Sequence, residues 1–374
     1  MRSTAIDRRT LLIAAAAAGI APGRLLAAAD AETLFIAARR RAGRFEIAVV
    51  DEAGGDRLVL SLETRGHAFA VDRAGRQAIA FSRQPGRFAI GFDLDGKRQP
   101  TMATAAPDRH FYGHGVFADD RLLLATENDY AGAQGVIGVY SVEDGLKRIG
   151  EFPSGGLDPH EAVLMPDGRT LCVAHGGILT HPDYGKLVLN PDTMAPTLTY
   201  VDTIDGEILE TVSLDKALYK LAFHHLAVDG TGAVWFGLQY HGPQIDRPPL
   251  VGRHRRGRVA ELFSGPPEIL RGLANYIGSV AVDRSGTIVA TSSPKGGLVA
   301  YWDAATGRSL GATALADGCG VAAGTERPFR MTSGTGAMVE AGPEAEELSV
   351  TTLRDGAIAW DNHMMRIDRG QGDL

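Results

Sequence analysis

The sequence predicts an all-β fold, a seven-bladed β-propeller, on three observations. Short apolar runs that end in polar turns recur along the chain, and five of them open on a histidine: His67, His114, His160, His225 and His363. With weaker copies at Ser279 and Gly320, their starts fall 41 to 65 residues apart, centred on the period of four-stranded propeller blades. Strands left over at the two ends of the chain add up to one more blade.

The N-terminus reads as an export signal. Arg2, Arg8 and Arg9 form a positive head, Leu11–Ile20 is an apolar stretch too short to span a bilayer, and Ala27-Ala28-Ala29 offers a cleavage site before Asp30. Arg8-Arg9 followed by Thr10-Leu11-Leu12 resembles a twin-arginine signal, with Asp7 where Ser or Thr is usual. An ordinary secretory signal with a chance arginine pair is the alternative. Either way, residues 1–29 are expected to be removed, residues 30–374 to form a single propeller domain, and the mature protein to be periplasmic.

Three strands come next, Leu34–Arg39, Arg44–Val50 and Arg57–Leu62, with no inner strand of their own. The repeating unit then begins. Its first strands read His67-Ala-Phe-Ala-Val-Asp72, His114-Gly-Val-Phe-Ala-Asp119, His160-Glu-Ala-Val-Leu-Met165, His225-Leu-Ala-Val-Asp229, Ser279-Val-Ala-Val-Asp283 and Gly320-Val-Ala-Ala-Gly324. Turns such as Asp72–Gly75, Pro166–Gly168, Asp229-Gly230 and Asp283–Gly286 follow them, as hairpins require. Six full units reach about Leu353 and leave one strand, His363–Ile367. That strand completes the three at the N-terminus, so the ring closes without an open sheet edge.

Composition narrows the function. A net charge of −7 argues against a nucleic-acid or anionic-membrane partner, and the basic cluster Arg253–Arg258 reads as an exposed hairpin turn. Cys172 and Cys319 fall in non-adjacent blades and read as buried, unpaired side chains. Nucleophile-elbow, zinc-protease, phosphate-loop and c-type haem motifs are missing from the sequence, which weighs against serine hydrolase, zinc protease, NTPase and cytochrome chemistry.

The histidines are the candidate site. An inner-strand start points at the channel mouth, so the five form an arc over five adjacent blades. Such an arc suits a transition metal (Fe, Cu or Zn), which neutral imidazoles favour. The structural alternative is bracing: Gly66-His67, Gly113-His114 and Trp302-Asp303 resemble WD-repeat elements, whose histidine holds a loop. Loops between second and third strands are expected on the same rim and bring Glu127, Asn128, Asp129, Tyr130, His175, His181, Tyr240 and His241. Asp158 and Glu161 flank His160, and Asp361 and Asn362 precede His363. These acids are candidates to ligate an ion or orient an imidazole, although each taken alone also fits a turn cap.

Several segments together resemble one bacterial family, the domain-of-unknown-function family 1513. They are Thr126–Tyr130, Gly135–Tyr140, Asp158-Pro-His-Glu161, Ala174–Ile178 with Thr180–Asp183, Asn275–Val280, Ser333–Gly336 and Trp360-Asp-Asn-His363. The resemblance implies an exported propeller-like protein, often encoded beside imelysin-type iron-regulated proteins and a di-haem oxidoreductase. It thereby implies periplasmic iron acquisition with imelysin-like partners, and it assigns no catalytic residue. Three functions stay open on the sequence: a non-enzymatic metal-handling protein, a metal- or histidine-dependent enzyme (lyase, lactonase or oxidoreductase), and an interaction scaffold with structural histidines.

Overall fold

Seven four-stranded antiparallel sheets stand in a ring in the computed structural model, which describes residues 32–343, 349–353 and 358–369. The export-signal reading at residues 1–29 lies outside the described residues. Blades 1 to 6 span residues 66–104, 109–153, 159–212, 221–263, 279–314 and 318–353, and blade 7 combines 358–369 with 32–62. This is the predicted seven-bladed propeller, and its closing blade has the predicted composition. Ile358–Arg369 pairs antiparallel with Glu32–Arg41, which continues into Arg44–Asp51 and Asp56–Leu62.

Each sheet is covered by a neighbour on both faces, so middle strands are buried throughout and read as continuous apolar runs. Thr170–His175 is buried at every residue, whereas the outer strand Lys147–Pro153 alternates exposed and half-buried positions. The core therefore lies in layers between blades. Tyr200, Trp235 and Trp302 belong to one layer that joins blades 3, 4 and 5. Phe35, Cys319, Met338 and Trp360 form another, at the seam between blades 6 and 7. Cys172 and Cys319 are buried and unpaired.

The turn after the inner strand uses one device in blades 1 to 5. An aspartate carboxylate accepts hydrogen bonds from backbone N–H groups across the turn, which fixes the hairpin locally. Asp72 accepts from Arg76 and Gln77, Asp119 from Arg121 and Leu122, Asp167 from Arg169 and Thr170, Asp229 from Thr231 and Ala233, and Asp283 from Thr287 and Ile288. The basic cluster at 253–258 does turn a hairpin, but Arg253 and His254 are buried. Arg253 bonds Glu261 and the Ala304 carbonyl across the blade interface. No helix among the described residues is long and apolar enough to cross a membrane.

Six of the seven inner strands slip register against their neighbour. The slips fall between Gly66 and Phe69, Phe111 and Gly115, Pro159 and Glu161, Phe223 and His225, Gly318 and Val321, and across Asp361–His363. The strand at Ser279–Val282 pairs regularly. These bulges build the site.

Candidate metal centre

A β-bulge leaves a residue out of the ladder and re-aims its side chain. Each of the five channel histidines lies in such a bulge or at its edge. His67 and His160 are the second residues of their strands, one place inside the start that the sequence suggests. His114, His225 and His363 differ: they sit inside longer strands, Arg109–Phe117, Leu221–Val228 and Ile358–Arg369. The reason is that pairing resumes upstream of the bulge, which an apolar-run pattern does not reveal.

The result is a layer of imidazoles across the channel. Ring centroids of His67 and His363 are 4.6 Å apart, those of His114 and His363 4.7 Å, those of His114 and His160 5.1 Å and those of His160 and His225 5.0 Å. All five side chains are buried. Two trios, His67/His114/His363 and His114/His160/His225, place one nitrogen per ring within 4.8 Å of the others. Nitrogens around one tetrahedral zinc stand about 3.3 Å apart, so closing onto an ion needs only side-chain adjustment.

Burial holds the rings of His67, His114, His160 and His363 neutral. It lowers His67 from 6.5 to about 4, while neighbouring Asp361 pulls weakly the other way. Burial, reinforced by the surrounding imidazoles, pushes His114, His160 and His363 well below 6.5. A neutral imidazole is the ligating form.

Partner accounting separates ligation from bracing, because buried polar atoms are normally hydrogen-bonded. His254 is a brace: Tyr200 lies 2.7 Å from Nδ1, and Nε2 donates to the Arg258 carbonyl at 2.8 Å. His110 is another, donating from Nδ1 to Phe111 and accepting at Nε2 from Asn128. His175 bonds Ser154 at 2.9 Å and is fully buried, and burial takes its pKa to about 3. Its Nδ1 has no partner, and the same holds in the channel for His67 Nδ1, His114 Nε2, His160 Nδ1 and His363 Nε2, where four such rings gather against one another.

Two carboxylates stand behind the rings. Glu161 Oε2 lies 3.1 Å from His225 Nδ1, and Oε1 lies 3.7 Å from His114 Nδ1. Asp361 lies 3.7 Å from His67, too long for a hydrogen bond, and is held instead by Arg65 and by Arg83 at 3.3 Å. Burial works against its charge, but Arg65 and Arg83 stand beside it and it stays far below the carboxylate range. Gly113 also shapes the layer. Its φ is +102°, and a Cβ there would come within 2.6 Å of the His67 ring in blade 1.

The layer divides the channel. Above it lies a vestibule of about 330 Å³ that His67, His160 and His225 border together with Asp158, His241 and Asn362. Below it a space of about 440 Å³ has mainly apolar walls and includes His114, His363 and Glu161. Asp158 is buried beneath Tyr112 and is pushed up to about 7 by that burial. The vestibule also contains residues that the apolar-run pattern passes over: His224, Arg83, Lys186, Tyr276 and Lys295. His224 occupies the bulge itself, and its ring centre is 4.2 Å from that of His160. The doubled His224-His225 was the available signal.

Other rim candidates are placed elsewhere. Glu127 bonds Tyr140 and Arg148 inside blade 2, and Asn128 bonds His110. Asp129 pairs with Arg109 and caps its own turn. Tyr130 stacks on His110 and meets His181, which caps the short helix Pro182–Tyr184. The Tyr240 hydroxyl donates to Asp246 at 2.7 Å. Trp302 donates to Thr291 and Asp303 caps a turn, with no histidine partner among the described residues.

Comparison with known proteins agrees on architecture. Apo AztD from Citrobacter koseri is similar over 92% of this chain and 99% of its own, with a TM-score of 0.57 and 13% identity. The Cps50 (Swd1) β-propeller domain of Myceliophteria thermophila covers 80% of this chain and 92% of its own, with a TM-score of 0.54 and 14% identity. Kuenenia stuttgartiensis hydrazine synthase covers 76% of this chain and 80% of its own, with a TM-score of 0.52 and 13% identity. At such identities the likeness is one of fold. No curated protein matches the sequence. The family model described as "Protein of unknown function (DUF1513)" matches residues 60–367, from within the last strand before blade 1 to within the closing inner strand, and the chain belongs to that family.

Proposed function

We propose that this protein is an exported transition-metal-handling propeller that binds one ion in the channel through its histidine layer. One observation carries the reading: buried imidazoles converge in two overlapping trios, and four of the five rings keep a nitrogen that has no hydrogen-bond partner. Nitrogen-only donors favour Fe, Cu or Zn over Mg or Ca. Iron is the ion that the family resemblance implies, with an imelysin-like protein as the partner that passes it on. Glu161 would fix the His225 tautomer, as carboxylates behind metal-bound histidines do.

Asp158 favours a second reading. A buried carboxyl with a pKa near 7, lining the vestibule beside His160, has the properties of a general acid–base group. An enzyme would then use the same ion or His160 directly.

Elemental analysis tests the metal reading on protein purified from the periplasm without affinity tags or chelators. The control is a variant with His67, His114, His160 and His363 changed to Ala. About one metal per native chain, missing from a folded variant, is the expected result. No metal in either, even after anaerobic incubation with ferrous or cupric ions, would leave the histidines as braces of a scaffold.

A further inference from the structure

The vestibule above the histidines is basic in a protein whose net charge is −7. Three cations reach it from three different blades. Arg83 comes from the loop between second and third strands of blade 1, Lys186 from the long insertion of blade 3, and Lys295 from the corresponding loop of blade 5. Arg83 is bound to Asp361 and so is held in place. Lys186 is exposed and has no ion-pair partner among the described residues. Lys295 rests its ammonium 4.3 Å over the Tyr276 ring. Asp158 is the one acid that lines the cavity.

A second, independent observation points to a ligand. His224 is buried and lines the same cavity, yet neither of its ring nitrogens has a hydrogen-bond partner. Gln239, Tyr276 and Asn362 add further polar groups around it. A volume of about 330 Å³ lies at the small end of ligand pockets.

We propose that this vestibule binds a small polycarboxylate anion, with Arg83, Lys186 and Lys295 gripping separate carboxylates and His224 donating a hydrogen bond. Cations supplied by three blades suit an anion charged at several points, and phosphate is the single-centre ligand against which that class is tested. Such an anion would lie directly on the histidine layer and offer an oxygen to an ion bound there. Only that last contact rests on the metal reading; the anion site stands on its own residues.

Calorimetry with citrate on metal-free protein tests the proposal, with acetate and phosphate as comparison ligands. Citrate is expected to bind at least tenfold more tightly than either. The double variant Lys186→Gln/Lys295→Gln and the single variant His224→Ala should each weaken citrate at least tenfold, with melting temperatures near that of the parent. Equal binding of phosphate and citrate, no citrate binding, or unchanged affinity in folded variants would each overturn it. Because no metal is present, these outcomes are independent of the elemental analysis above.

Discussion

Nδ1 of His225 in blade 4 lies 3.1 Å from Glu161 Oε2 in blade 3, and the same oxygen accepts from the Leu226 backbone N–H at 3.2 Å. A carboxylate only accepts, so Glu161 draws a proton to Nδ1 of His225 and leaves Nε2 as the nitrogen that would ligate. Glu161→Gln keeps the shape but replaces that acceptor with a weaker one. Its metal affinity should fall about 10- to 100-fold, read by competition with a chromophoric chelator. An unchanged affinity would make Glu161 a purely structural link between blades.

His114 belongs to both trios, and a neutral imidazole nitrogen serves one ion at a time. Binding should therefore saturate at one ion per chain. His114→Ala should abolish binding, while His160→Ala leaves the trio of His67, His114 and His363 and a weaker residual affinity. Titration calorimetry of the two variants distinguishes them, and two tight ions in the native protein would contradict a shared ligand.

The lowered histidine pKa values set a stability window. In the unfolded chain a histidine takes up its proton near pH 6.5, but folded His67 does so only near 4. The unfolded state thus binds more protons between these values, so stability falls as pH drops through the window and levels off below it. For His67 the loss is about 3 kcal/mol at 1.4 kcal/mol per pH unit. Urea midpoints measured from pH 7 to pH 4 should fall less steeply for His67→Gln than for the parent.

Gly113 tests the geometry from the neighbouring blade. Gly113→Ala combines a strained left-handed backbone with a Cβ pressed against the His67 ring. Metal affinity should drop at least tenfold, with a stability loss of about 1 kcal/mol or more. Parent-like affinity would mean that His67 does not hold the ion.

Trp360 tests the closure. It is buried against Phe35 and Met338, donates to the Gly336 carbonyl at 3.3 Å, and has the Arg39 guanidinium 5.2 Å from its ring centre. Trp360→Ala should cost about 3–5 kcal/mol, visible as a lower denaturant midpoint. A negligible shift would mean that the seam does not limit stability.

The blade count, the shared closing blade and the five inner-strand histidines were legible in the sequence. They rest on local signals: short apolar runs, aspartate turns such as Asp72 and Asp229, and a period that repeats. The two cysteines were legible for the same reason, since register alone places Cys172 and Cys319 in separate blades. What each polar side chain meets was not legible. Glu127, Asp129 and His175 look like rim chemistry in the sequence, yet Arg148, Arg109 and Ser154 occupy them inside or between sheets. Those partners come from other strands and blades, and no spacing rule announces them. His224 was missed because alternation puts adjacent residues on opposite faces of a strand, and only a bulge brings both His224 and His225 to the channel. Hairpins and repeats are short-range, so the ring and the blades that contribute histidines are already written in the order of residues. The convergence of the five rings, and the unpartnered nitrogens of His67, His114, His160 and His363, arise only between blades, because bulge geometry and burial depend on the neighbouring sheets.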